Sequence, residues 1–251
     1  GNQKMEKAVS EISKFTRSDN PLLKTAAIRS LAKIGNKDAL IKLVELLKSD
    51  NAETIALAKD ALTTYNGDMS YELTSKFNDS SDEGKVTILQ LIASRRMESQ
   101  YNMVYNQLFI DNPTVKAEAA NTLQYVSTEE NLKDLFLQLE KSDAELVPAL
   151  QQAINAALSD LSTDEQMIVI AEQANKKGIK RHLYYPAMAY TGTQDAMEQL
   201  VGEYSNATND DQKRAAFEAL ANWKSFDVIY PLLDIARNSD NNTEKSEAID
   251  A

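Results

Sequence analysis

The sequence predicts an all-α protein, a right-handed α-α superhelix of about seven to eight stacked helix pairs, with residues 1–251 forming a single repeat domain. Three observations predict it. An apolar motif returns every thirty-odd residues, helix breakers are scarce, and several prolines fall in register with the motif.

The recurrence is the strongest of the three. Thr25 to Gly35, Ile55 to Gly67, Lys85 to Arg95, Lys116 to Ser127, Gln151 to Leu161, Tyr184 to Gly192 and Lys213 to Trp223 align with one another. Each reads as a helix rich in small residues with an apolar anchor near its end. The anchors are Leu31, Leu62, Leu91, Leu123, Leu158, Met188 and Leu220, spaced 29 to 35 residues apart. Alanines such as Ala27, Ala58, Ala120, Ala157 and Ala216 let neighbouring helices approach closely. Between these second helices lie first helices with apolar residues at helical spacing, within 38–47, 131–139, 165–174, 196–204 and 226–236.

Only seven glycines and five prolines punctuate the chain. Pro21, Pro113 and Pro148 each stand ten residues before their anchor. Proline fits a first helical turn, where its missing N–H costs nothing. Two of them follow Asp-Asn, in Asp19-Asn20-Pro21 and Asp111-Asn112-Pro113, and Asn is a good N-cap. The sixth repeat departs by carrying Pro186 inside its second helix. An eighth repeat opens at Ser225, with its second helix expected after Asp240-Asn241-Asn242-Thr243. The chain stops at Ala251, near the position due for the eighth anchor, which predicts a truncated repeat (225–251) with more repeats or another domain following. The start, Gly1-Asn2-Gln3, lacks a Met and reads as a tag scar or trimmed end.

The phrases Ala27 to Gly35 and Asp38 to Leu47 resemble HEAT-like repeats of the short bacterial variety, an armadillo-like α-solenoid. That resemblance implies a scaffold that presents a concave helical surface to a protein or peptide. Arrays of this flavour are similar to those of multidomain Bacteroidetes proteins, some fused to a catalytic domain of the 3-keto-disaccharide hydrolase type. By that likeness the chain would be a periplasmic or surface-exposed accessory region rather than cytoplasmic. Its partner would then be a fused domain or a carbohydrate.

Composition removes several function classes. Net charge is −11, from 38 acidic against 27 basic residues, which disfavours nucleic acid and anionic membranes. No apolar run approaches the ~18 residues of a membrane helix. There is no Cys and a single His, so no thiolate or zinc-type metal site is expected. Asp79 to Gly84 looks like a calcium loop, but its twelfth position is Gln90 rather than Glu, and a capped helix start is the better reading. No phosphate loop or nucleophile elbow occurs. The expectation is therefore a monomeric, non-enzymatic interaction module without cofactors.

One local anomaly stands out. Residues 176–186 gather Lys176, Lys177, Lys180, Arg181, His182, Tyr184, Tyr185 and Pro186 in an acidic chain. Lys180 and Arg181 open the next helix, where the macrodipole disfavours cations, so they should meet acids on a neighbouring repeat or an anionic ligand. Tyr184, Tyr185 and Tyr190, with Trp223 one repeat on, form either a stacking platform for carbohydrate or peptide, or core packing at repeat boundaries. The candidate binding set is Lys180, Arg181, His182, Tyr184, Tyr185, Tyr190, Arg214, Asn222 and Trp223.

Overall fold

The computed structural model describes residues 2–176, 178 and 180–251. Among the described residues every regular element is helical, sixteen α-helices joined by loops and seven short 3-10 turns. They form two compact units, residues 1–126 and 127–251. Each unit is a short α-solenoid of four helix pairs.

The first unit pairs α1 (Asn2–Lys14) with α2 (Pro21–Ile34), and α3 (Lys37–Glu45) with α4 (Ala52–Thr63). It continues with α5 (Ser70–Lys76) and α6 (Asp82–Ser94), then α7 (Tyr101–Asn106) and α8 (Pro113–Val126). Second helices stack on second helices, α2 on α4, α4 on α6 and α6 on α8, while α1 meets α3 and α3 meets α5. The second unit pairs α9 (Leu132–Lys141) with α10 (Val147–Leu158), and α11 (Thr163–Ala174) with α12 (Tyr185–Thr191). It ends with α13 (Gln194–Ser205) and α14 (Asp210–Ala221), then α15 (Ile229–Asn238) and α16 (Asn242–Asp250). Here α10, α12 and α14 stack in the same way.

All seven anchors are buried; Leu31, Leu62, Leu123, Leu158 and Leu220 have no exposed surface. Each such leucine contributes about 1.5–3 kcal/mol by leaving water. A helix pair alone buries too little to fold, so stacking on the next pair is what makes that burial possible.

Side chains set where the second helices begin. In Ser18-Asp19-Asn20, Ser49-Asp50-Asn51 and Ser239-Asp240-Asn241 the serine Oγ accepts from the asparagine N–H at 3.2, 3.1 and 3.1 Å. The asparagine Oδ1 then accepts from the opening turn of the next helix, at Leu22, Thr54 and Thr243. Asn112 does the same for Val115 at 3.0 Å. Such caps contribute ~1 kcal/mol each. The prolines also fall as the sequence indicates, Pro21 and Pro113 first in their helices and Pro148 second. Pro186 differs. A 3-10 turn over Arg181–Tyr184 delays the start of α12, so Pro186 is its second residue and disturbs no helical hydrogen bond.

Left-handed residues close three second helices, Gly35 (φ 58°), Gly192 (φ 65°) and, unusually, Arg96 (φ 48°). The calcium-like loop is a helix cap: Ser81 Oγ accepts from Gly84 N–H at 3.2 Å, and both the Ser81 hydroxyl and its N–H donate to Leu47 O. Gly84 sits directly over that carbonyl, and a Cβ there would stand 1.9 Å from Leu47 O. Replacing a helical Gly by Ala ordinarily stabilises by ~1 kcal/mol. Here the sign reverses. Gly84→Ala lowers stability by about 1–3 kcal/mol in urea unfolding, because backbone must shift; a variant as stable as the parent would refute the close contact.

Candidate functional site

The basic segment sits where α11, α12 and α13 come together in the second unit. Its Lys177 and Ile179 lie outside the described residues. Arg181 Nε is 2.8 Å from Glu203 Oε1 on α13, and Arg181 Nη1 donates to Asn175 Oδ1 at 3.1 Å. Glu203 also accepts from the Tyr185 hydroxyl at 2.5 Å and from Gln212 Nε2 at 2.9 Å. One carboxylate thus ties together the turn before α12, α12 itself, α13 and α14. Arg181 meets an acid of the neighbouring repeat, the first of the two alternatives the sequence leaves. The exposed Lys180 takes part through its backbone N–H, which donates to Glu140 Oε2 at 3.4 Å.

Tyr184 and Tyr185 are buried, at 2% and 0% exposure, and Trp223 is buried at 9%. Trp223, though largely buried, borders a groove at the last helix pair, whereas Tyr184 and Tyr185 pack in the core at the repeat boundaries, one of the two readings the sequence leaves open. The physical reason is the polar end of each ring, which finds a partner inside. Tyr184 donates to Glu140 Oε1 at 2.7 Å, and Trp223 Nε1 donates to Ser225 Oγ at 3.1 Å. Tyr190 is half-buried with Lys224 Nζ 4.9 Å from its ring centre. His182 is half-exposed. Arg214 bridges Glu218 at 2.7 Å and Glu247 at 2.5 Å, and these carboxylates hold its guanidinium well above the usual arginine range. Asn222, exposed, donates to Glu218 O at 2.8 Å.

A third tyrosine repeats the arrangement. Tyr204 donates to Glu244 Oε2 at 2.8 Å; the same carboxylate accepts from Ser239 and lies 3.8 Å from Lys213 Nζ. Burial first, then the adjacent carboxylate, raises the Tyr204 hydroxyl to about 12 and pushes those of Tyr184 and Tyr185 higher still.

Two features lay beyond the sequence-predicted set. The last helix pair exposes Phe226 (87%), Tyr230 (82%) and Ile249 (70%), with Ile229 and Leu233 beside them. The spacing 226, 229, 230, 233 is the signal that marks one helix face. A groove of about 240 Å³ runs from Trp223 past Phe226, Ile229, Leu233 and Ile249 to Ala251. In the first unit a groove of about 830 Å³ crosses the first two repeats, lined by Lys14, Arg17, Lys24, Lys42 and Lys48. No group of His, Asp and Glu able to hold a metal occurs among the described residues, and none of their helices is long and apolar enough to cross a membrane.

Anchored helix pairs, capped and stacked in register, define an α-helical repeat protein of the solenoid class. Residues 1–63 match the family model of HEAT repeats, and helix pairs of similar length recur through the rest of the described residues. Among solved structures, the crystal structure of an engineered protein is similar over 96% of this chain and 76% of its own, at 17% identity and a TM-score of 0.43. No curated protein matches the chain.

The tyrosine–carboxylate contacts predict a pH limit. A hydroxyl whose folded value is raised contributes stability fully below its unfolded value of 10 and loses it as pH rises through the folded value. For Tyr204 that window is 10 to about 12. The second unit should therefore lose helicity by circular dichroism across this range, and Tyr204→Phe should remove part of the pH dependence. A titration in which all ten tyrosines ionise together near 10 would contradict this.

Proposed function

We propose that the chain is a non-enzymatic interaction scaffold that docks a helical partner on the exposed face of its last helix pair. One observation carries the reading. Aligning the caps Thr193 with Ser225 and Asn209 with Asn241 puts Met197 opposite Ile229 and Phe217 opposite Ile249. Met197 and Phe217 are 6% and 1% exposed, whereas Ile229 and Ile249 are 44% and 70% exposed. The face thus continues the packing surface used between repeats, and its fitting occupant is another helix pair with the same apolar spacing. Phe226 and Tyr230 extend the patch where the preceding repeat has the polar Gln194 and Glu198. Contiguous exposed apolar surface with a polar rim is the physical mark of a docking site. The match of residues 1–63 to HEAT repeats supports the same reading, since such repeats generally mediate protein interactions.

The test is capture from the source cell with the parent chain and with the double variant Phe226→Asp, Tyr230→Asp. Both residues are exposed, so stability should change by no more than ~0.5 kcal/mol each. The parent should retain a helical partner that the variant loses, with an unchanged thermal midpoint. Equal capture by the two proteins would defeat the proposal.

A further inference from the structure

We infer that the groove across the first two repeats is a separate binding site for an acidic peptide segment. Its lining carries five cations, Lys14, Arg17, Lys24, Lys42 and Lys48, against the carboxylates Asp19 and Glu45. This excess is unusual for the chain. The first 35 residues hold seven Lys and Arg against three Asp and Glu, while the remainder holds 20 against 35.

A groove of the second unit, between its last two repeats, is of similar size at about 780 Å³ but opposite sign. It carries Lys213 and Arg214 against Asp210, Asp234, Asp240 and Glu244. Its cations are already engaged. Arg214 bridges Glu218 and Glu247, and Lys213 stands 3.8 Å from Glu244 and 5.0 Å from the Tyr204 ring centre. In the first unit Lys14, Lys42 and Lys48 each have one carboxylate, at 2.8, 3.1 and 2.9 Å. Arg17 and Lys24 pair with none of the described residues. The same kind of groove between adjacent repeats is thus self-neutralised in one unit and holds spare positive charge in the other.

The first turns of α2 and α4 also border the groove, through Lys24 and Thr54, so two helix dipoles add to its positive potential. Its volume suits a few extended residues. A long polyanion is a poorer fit, because nucleic acid or an anionic membrane would meet the strongly acidic remainder of the chain, whereas a short acidic peptide need only enter the groove. Arginine and lysine with free donors take carboxylates directly.

The experiment measures fluorescence anisotropy of a labelled oligoglutamate peptide with the full chain at low salt. The parent should bind, and binding should weaken as salt rises. Arg17→Glu with Lys24→Glu should weaken it at least tenfold. Lys133→Glu with Lys141→Glu, an equal charge change on the exposed side of α9, should alter it less than threefold. The Phe226→Asp, Tyr230→Asp variant should bind as the parent does, which separates this site from the apolar face and keeps the fates of the two proposals distinct. No binding, equal weakening by both charge-reversal pairs, or tighter binding of a single-stranded oligonucleotide than of the peptide would each overturn the assignment.

Discussion

Burial of one apolar anchor per helix pair against the pair beside it is the interaction on which each unit depends. Leu62 is enclosed by its own repeat and its neighbours, and so is every other anchor. No single pair has the apolar area to offset its conformational entropy, so the register between pairs must be fixed. Two devices fix it in the first unit. Gly84 lets the start of α6 approach the Leu47 carbonyl, and Arg95 donates to Leu62 O, Thr63 O and Tyr65 O, satisfying carbonyls at the end of the preceding second helix. In the second unit Gln166 Nε2 does the equivalent for Leu158 O and Leu161 O, at 3.0 Å each.

The second unit adds a further set of ties. Three tyrosine hydroxyls reach carboxylates of other elements, Tyr184 to Glu140, Tyr185 to Glu203 and Tyr204 to Glu244. A carboxylate withdrawn from water is costly unless several donors meet it. Glu203 and Glu244 each have donors from more than one element. These contacts are specific in direction as well as sign, so they align helices that apolar packing alone would let slide. The first unit uses a more exposed polar ladder for a similar purpose, from Lys59 to Gln90 at 2.6 Å and from Gln90 to Glu118 at 3.3 Å, across α4, α6 and α8.

Much of this architecture was legible in the sequence because it is written in local spacing. Anchors, alanines, prolines and Asn caps act within one helix or its adjoining turn, and the repeat brings each signal back several times. The site was less legible. The partner of Arg181 lies 22 positions away and that of Tyr184 lies 44 away, and neither is a repeat interval. Spacing could identify the aromatic residues at 184, 185 and 223 but could not tell a platform from a core. That is settled by which carboxylate or hydroxyl each ring edge meets. The exposed face over 226–249 escaped for a different reason. Ile229 and Ile249 follow the ordinary pattern of a buried helix face, as Met197 and Phe217 do one repeat earlier, so spacing alone marks them as core although they are exposed.

The Ser-Asp-Asn turn bears on how the acidity of the chain is interpreted. Its serine and asparagine are committed to backbone hydrogen bonds, while Asp19, Asp50 and Asp240 project into water just ahead of a helix start. Negative charge is favoured there by the helix that follows, whatever the protein binds. Part of the chain's low isoelectric point is therefore grammar, a mark left by three of the repeats as they begin their second helices. Information about partners resides in departures from that punctuation.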